Sequence, residues 1–243
     1  MKTYGLMGKD ISYSFSKKYF TEKFKQEGLC SLQYVNFDIQ DISEAQAILS
    51  DSTLGGLNVT IPYKETIIPF LDGLSHEAST IGAVNTIRFL DDGKKIGYNT
   101  DYIGFRDSLI PLLRPYHTKA LILGTGGAAK AVAYALGELN IPFLNVSRQK
   151  NEGQISYEEI TPEILKLYTI IINCTPIGTF PNKENNMPIS TAHFTSDHLV
   201  YDLIYNPEMT VFLYKAKEKG AIVKNGYEML KIQAEHAWKI WNL

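Results

Sequence analysis

The sequence predicts an α/β fold in two domains, the second of them a doubly wound parallel sheet with helices on both faces. Three observations predict it. Short apolar runs alternate with amphipathic stretches along most of the chain, the pattern of strands joined by crossover helices. A glycine-rich turn, Gly124-Thr125-Gly126-Gly127, sits between one such run and an alanine-rich helix. The last amphipathic stretch, Tyr227 to Trp241, has no strand after it, so it is free to pack back against the N-terminal domain.

In order, Thr3 to Leu6 reads as a short strand. Ser14 or Ser16 can cap a helix whose apolar face carries Tyr19, Phe20 and Phe24, with Gly28 as its stop. Tyr34 to Ile39 is a second strand, Asp41 to Leu49 a helix, and Leu54 to Thr60 a third strand. Pro62 ends that strand and suits the first turn of a helix, which places Lys64 near a helix N-terminus. Val84 to Leu90 and Lys94 to Asn99 flank Asp91-Asp92-Gly93, a hairpin signal. A helix runs from Asp101 towards Leu113. Arg114-Pro115-Tyr116-His117 reads as a hinge or linker, because the pattern changes after it. Strands at Ala120 to Leu123, Phe143 to Val146, Thr169 to Asn173, Leu199 to Leu203 and Ala221 to Val223 then alternate with helices. Those helices reach to about Leu139, from Glu158 to Leu167 and from Glu208 to Lys219.

Composition narrows the function. The chain has 243 residues, 44% apolar and 21% charged, with a formal net charge of −2. That balance argues against non-specific binding of nucleic acid or an anionic membrane as the main business. The opening MKTYGLMGKD carries no apolar signal region, and no apolar run approaches the roughly 20 residues of a membrane span, so a cytoplasmic protein is expected. Cys30 and Cys174 lie far apart without ligand spacing, so neither a disulfide framework nor a metal site is expected. No strongly apolar exposed surface can be picked out, and a monomer or homodimer is expected.

Gly124-Thr125-Gly126-Gly127-Ala128-Ala129 fits the dinucleotide fingerprint of a Rossmann domain. The first glycine makes the tight turn, the second admits the pyrophosphate, and the third small residue packs helix on strand. The helix N-terminus offers free N–H groups to phosphates. An NAD site places a carboxylate about 20 residues further on, but this chain has Ser147-Arg148-Gln149-Lys150. A carboxylate would repel a 2′-phosphate, whereas arginine grips one with paired hydrogen bonds. NADP is therefore favoured over NAD. The competing reading of Arg148 and Lys150 is a solvated loop.

In Gly56 to Lys64, GLNVTIPYK, Leu57 and Val59 point to one face of the strand and Asn58 and Thr60 to the other. A cation at a helix N-terminus opposes the helix dipole and needs water or a partner. Taken alone, Lys64 reads as an exposed surface lysine. Asp101 is a candidate partner.

Several polar motifs stand in a fixed order: YSFS at Tyr13 to Ser16, NVTIPYK at Asn58 to Lys64, GAVNTI at Gly82 to Ile87 and GYNTD at Gly97 to Asp101. GTGGAAKA at Gly124 to Ala131, NCTPIG at Asn173 to Gly178, YDLIYNP at Tyr201 to Pro207 and NGYEMLKIQA at Asn225 to Ala234 follow. Together, and almost end to end, they resemble the shikimate dehydrogenase family. The resemblance implies an N-terminal substrate domain of residues 1–102, completed by the closing helix 227–243, and an NADP-binding Rossmann domain of residues 103–226. It implies reversible NADPH-dependent reduction of 3-dehydroshikimate to shikimate, in the cleft between them, on the pathway to aromatic amino acids. Lys64 and Asp101 match the catalytic pair, and Ser14, Ser16, Asn58, Thr60, Asn85 and Gln233 match substrate-binding positions. Tyr205 matches a tyrosine lining the cleft. On the cofactor side the resemblance implies Gly124, Thr125, Gly126, Gly127, Ala128 and Thr175, with Gly226 and Met229 near the nicotinamide. Ser147 and Arg148 fall at the 2′-phosphate grip.

These assignments suit the chemistry. Shikimate has one carboxylate and three hydroxyls, so its site should be rich in short hydroxyl and amide groups. Each residue also has a plainer reading: Ser14 or Ser16 as a helix cap, Asn85 as a turn residue, Gln233 as an exposed helix residue. Hydride transfer to the ketone carbon leaves an alkoxide that needs a proton. A lysine ammonium supplies one, since free lysine has a pKa of about 10.4. The reverse oxidation needs the neutral amine and is expected to run faster at alkaline pH. The departures are local. The proline expected after Ser16 is Lys17, and Ser147 and Gln149 replace an asparagine and a threonine of the nucleotide loop. The rivals are a relative that accepts quinate, with dual or NAD cofactor use, and a dinucleotide-binding regulator without catalysis. Intact Lys64 and Asp101 argue against the regulator.

Overall fold

The structure is a computed structural model that describes residues 1–12, 14–149 and 151–243. Tyr13 of the YSFS motif and Lys150 of the nucleotide loop lie outside the described residues. The chain divides into two compact units, Met1–Thr100 with Ala234–Leu243, and Asp101–Gln233.

The first unit is built on a mixed sheet. Strand β1 (Lys2–Gly8) is buried on both faces from Thr3 onward, as suits a central strand. Helix α1 (Phe15–Gln26) starts at Ser14, whose hydroxyl accepts the Lys17 N–H at 3.4 Å. The chain leaves α1 through Gly28, at φ +69°, where a side chain would be strained. Strand β2 (Leu32–Asp38) pairs with β1 in parallel. Asp41 and Glu44 form a capping box over a 3₁₀ turn at Ile42–Glu44, which runs into helix α2 (Ala45–Leu49). Strand β3 (Leu54–Val59) lies on the other side of β1. Two short elements that the sequence pattern did not announce follow. They are strand β4 (Gly73–Leu74) and helix α3 (His76–Ile81), the latter capped by Ser75 and ended by Gly82 at φ +69°. Strands β5 (Thr86–Phe89) and β6 (Lys95–Tyr98) form the expected hairpin, antiparallel across Asp91-Asp92-Gly93. The sheet order is β2-β1-β3-β5-β6-β4.

Alternation along the strands fills two cores. Met7, Leu57, Val59, Tyr63, Ile67 and Ile87 join the residues of α2 in one. Tyr4, Leu6, Phe20, Phe24 and Tyr34 form the other with Ala234, Ala237 and Trp241 of the closing segment. Trp241 is fixed by its Nε1–H, which donates to Ile87 O at 3.0 Å. Its ring covers Gly56, where a Cβ would stand 2.4 Å from ring atoms. Only glycine fits there.

The second unit opens with helix α4 (Asp101–Leu109), followed by strand β7 (Ala120–Leu123) and helix α5 (Gly127–Glu138). Arg114 to His117 is a turn inside this unit rather than a loose linker. His117 Nδ1 accepts the Arg114 N–H at 3.0 Å, and Nε2 bonds Asp197 O at 3.1 Å. Strands β8 (Phe143–Val146) and β9 (Gln154–Ile155), helix α6 (Pro162–Leu167) and strand β10 (Ile170–Asn173) come next. Strand β11 (Leu199–Asp202), helix α7 (Val211–Glu218), strand β12 (Ile222–Lys224) and helix α8 (Tyr227–Trp241) complete the chain. The order β12-β11-β10-β7-β8-β9, with every pair parallel, is a doubly wound sheet whose winding reverses between β7 and β10. Ligands bind such sheets at the carboxyl ends of the strands, at that reversal. Among the described residues no helix is long and apolar enough to cross a membrane.

Candidate functional site

In the first unit the polar candidates meet where β3 ends and β5, its antiparallel neighbour, begins. Asn58, 4% exposed, accepts the Tyr34 hydroxyl on Oδ1 at 2.8 Å and donates Nδ2 to Asn85 O and Thr86 Oγ1, both at 3.2 Å. Ser16 hydrogen-bonds the Tyr34 hydroxyl in turn, and burial raises the Tyr34 pKa well above its usual value. Asn85, 3% exposed, takes the Thr100 N–H on Oδ1 at 2.7 Å and donates Nδ2 to Thr100 Oγ1 at 3.0 Å. Ser16, Tyr34, Asn58, Asn85, Thr86 and Thr100 are thus one connected network, with Asn85 on the bend that leads into β5. Such a network is stable when buried because each member has partners. The sequence alone singles out neither Tyr34, Thr86 nor Thr100 of this network: Tyr34 reads as the start of a strand, and the one signal for Thr100 is its place directly before Asp101 in GYNTD.

Lys64 does not start a helix. From Ile61 to Ile67 the chain runs through turns, with Tyr63 N–H bonded to Thr60 O at 2.9 Å and Ile67 N–H to Tyr63 O at 3.0 Å. The helix-dipole conflict expected there is therefore absent. The Ile61-Pro62 peptide bond is cis. Lys64 is half-buried rather than exposed, and its carbonyl accepts the Val84 N–H at 2.7 Å, one residue from Asn85. Thr60 packs its methyl on Gly8, where a Cβ would stand 2.4 Å away. Ser14 is the α1 cap, and Ser16, the second residue of the helix, is buried in its first turn.

In the second unit, Asp101 is the first residue of α4 and is buried at 7% exposure. One turn on, Gly104 has no room for a Cβ. Such an atom would stand 2.6 Å from Met229 O and 3.1 Å from Gln233 Cβ. That close crossing brings Met229 and Gln233 beside the helix that Asp101 opens. Gln233 is buried, not an exposed helix residue, and its Nε2 donates to Leu230 O at 3.1 Å. Gly226 lies against the turn that carries Tyr205, with its N–H on Ile204 O at 3.0 Å.

The phosphate end follows the fingerprint. Gly124 has φ +113°, and its N–H bonds Val146 O at 2.9 Å. Its ideal Cβ would stand 3.1 Å from Thr175 Cγ2, so the turns after β7 and β10 meet at the winding reversal. Helix α5 begins at Gly126 with no side-chain cap, and no atom lies within 4 Å of a Cβ built on Gly126. Thr125 and Gly126 are exposed, while Gly127 and Ala128 are half-buried. Free N–H groups, a positive helix end and an open approach fit a pyrophosphate. Ser147 follows β8, its N–H on Ile155 O at 3.0 Å, and Arg148 beside it is exposed, with no carboxylate among residues 147–149. That donor set fits a 2′-phosphate better than a bare ribose.

The chain is similar to known proteins along its whole length. Residues 6–87 match the sequence family described as the shikimate dehydrogenase substrate binding domain. A shikimate dehydrogenase (NADP(+)) of Clostridium botulinum is 39% identical over all of this chain and 97% of its own length. The crystal structure of shikimate dehydrogenase from Aquifex aeolicus has a TM-score of 0.89 at 35% identity, covering all of this chain and 92% of that one. The shikimate 5-dehydrogenase of Thermus thermophilus, in complex with NADP(H) and shikimate, has a TM-score of 0.88 at 29% identity, covering 99% and 93%. The chain belongs to the shikimate dehydrogenase family.

Proposed function

We propose that this protein is an NADP-dependent shikimate dehydrogenase, which reversibly reduces 3-dehydroshikimate to shikimate on the route to aromatic amino acids. The observation that carries the reading is the full-length 39% identity to a relative named shikimate dehydrogenase (NADP(+)). The uncapped N-terminus of α5 and the exposed Arg148 support the choice of cofactor. The reading brings with it a cytoplasmic location and a monomeric or homodimeric state.

Ser14, Ser16, Asn58, Thr60, Asn85 and Gln233 bind the substrate's carboxylate and hydroxyls, a task suited to short hydroxyls and amides that both donate and accept. Bound NADPH supplies the hydride. Lys64 Nζ gives its proton to the ketone oxygen as charge develops there, and recovers a proton from solvent after the product leaves. Asp101 holds the ammonium in place and balances its charge. Tyr205 lines the site, Gly226 and Met229 lie by the nicotinamide, and Thr175 borders the turn at Gly124. Thr125, Gly126, Gly127 and Ala128 receive the phosphates, while Ser147 and Arg148 grip the 2′-phosphate.

The test is Lys64→Met. It should bind NADPH and shikimate as the unaltered protein does while kcat falls roughly 10²–10⁴-fold, the usual span for loss of a general acid. Turnover close to the unaltered rate would remove Lys64 from the mechanism.

A further inference from the structure

Asp202 ends β11 directly beside Asn173, which ends β10 in parallel register. Its side chain is fully buried. A carboxylate in such a place is costly unless donors fill its oxygens. Three do. Oδ1 accepts Asn173 Nδ2 at 3.0 Å and the Ile204 N–H at 3.1 Å, and Oδ2 accepts the Thr210 hydroxyl at 2.7 Å. Burial still outweighs these bonds and pushes the carboxyl up to about 6.

One donor ends β10 and the other two lie in the segment between β11 and α7, and each has a further attachment. A carboxylate only accepts, so the Asn173 amide must turn its Nδ2 towards Asp202 and its Oδ1 away. That Oδ1 then accepts both the N–H and the Oγ1–H of Thr175, at 2.9 and 2.7 Å. Thr175 in turn abuts Gly124. On the other side, Ile204 O takes the Gly226 N–H at 3.0 Å, and Tyr205 is the next residue. Thr210 caps α7 through the Leu213 N–H at 3.3 Å.

We propose that Asp202 is a positioning residue for the cofactor site: it sets the Asn173 amide, through it Thr175, and through Ile204 the turn that carries Tyr205 and backs Gly226. The proposal rests on the reading of Thr175, Tyr205 and Gly226 as residues that line that site. An uncharged amide at position 202 would keep the volume but no longer dictate which end of Asn173 faces it. Thr175 would then lose its fixed acceptor.

The experiment is a fluorescence titration of NADPH into folded apoprotein carrying Asp202→Asn, Thr175→Val or both. Each single variant should raise the NADPH Kd about tenfold, and the double variant should be little weaker than either, because one relay is broken twice. Thr175→Ser keeps the hydroxyl and should keep the affinity. Thr210→Val cuts the Oδ2 bond and the α7 cap, so it should lower Tm with the NADPH Kd unchanged. Asn173→Ala tests the middle of the relay whether or not Asp202→Asn folds, and should match Thr175→Val. Overturning results are an Asp202→Asn Kd within twofold of the unaltered protein, an unchanged Kd for Asn173→Ala, or additive losses in the double variant. If the unaltered protein bound no NADPH, the cofactor reading would fall as well. Intact binding that ignores these substitutions defeats the relay alone.

Discussion

Asn85 joins two short polar segments, NVT and NTD: its carbonyl accepts Asn58 Nδ2 and the Val59 N–H, while its side chain accepts the Thr100 N–H and donates to Thr100 Oγ1. Both partners are buried, so a substitution such as Asn85→Leu strands a backbone donor in the core, at about 1–3 kcal/mol. The expected outcome is a lower Tm together with lost shikimate affinity, read by thermal unfolding and calorimetric titration. Asp101→Asn keeps the volume at the head of α4 and removes the charge. A fall in kcat supports a part in handling the proton, whereas a change confined to KM assigns it to positioning. Arg148→Gln tests the cofactor grip. Loss of a charge-assisted pair is worth about 1.5–3 kcal/mol, so KM for NADPH should rise more than tenfold while KM for NADH stays level. Equal changes for both cofactors would return Arg148 to the solvated loop. Gly226 is the most constrained glycine in the site, since its Cβ would stand 2.0 Å from Leu203 O. Gly226→Ala must displace the backbone that carries Tyr205.

At the scale of elements, the closing segment 234–243 gives Ala234, Ala237 and Trp241 to one of the two cores of the first unit. Trp241→Phe keeps much of the ring but leaves Ile87 O without its donor, an expected loss of about 1–3 kcal/mol measured by urea unfolding. Much of this architecture was legible in the sequence. Strong punctuation marked its elements: Ser14 before α1, Asp91-Asp92-Gly93 in the hairpin, Gly124 to Gly127 between β7 and α5. The short apolar runs of β7 and β10 read as buried strands, and both are buried along their whole length. What the sequence hid has physical causes. β4 and β9 are two residues long and carry no periodicity. The turns around Pro62 to Ile67 show apolar residues at helical spacing, Tyr63 and Ile67, that serve the sheet core instead. In the site, motif spacing pointed to Asn58 and Asn85. It could not show that Tyr34, an apolar-looking strand residue, holds Asn58 through its hydroxyl.

For the molecule as a whole, two buried histidines set a pH dependence of stability in the second unit. His117 and His198 each accept a backbone N–H on Nδ1, from Arg114 and Thr195, so both must be neutral. Burial lowers both pKa values. A depressed histidine pKa means that the unfolded chain binds the extra proton first. Their contribution is complete above about pH 6.5 and is lost as pH falls through that value and then through the folded values. Asp202 acts in the opposite sense, because its raised carboxyl makes the ionised form the costly one, and its contribution fades as pH rises to about 6. Urea unfolding from pH 8 to pH 5 should therefore show a slope that flattens in His117→Asn; an unchanged slope would remove His117 from the account. The ring of Trp241 over Gly56 has a consequence for how the protein is made. A ribosome delivers residue 241 only after the whole of Asp101–Gln233, the contiguous stretch that makes up the second unit. Until then Tyr4, Phe20 and Phe24 lack their cover, and the earlier-made unit is the later one to mature. Stalled nascent chains lacking residues 234–243 should accordingly yield to protease in their first hundred residues while the doubly wound sheet already resists.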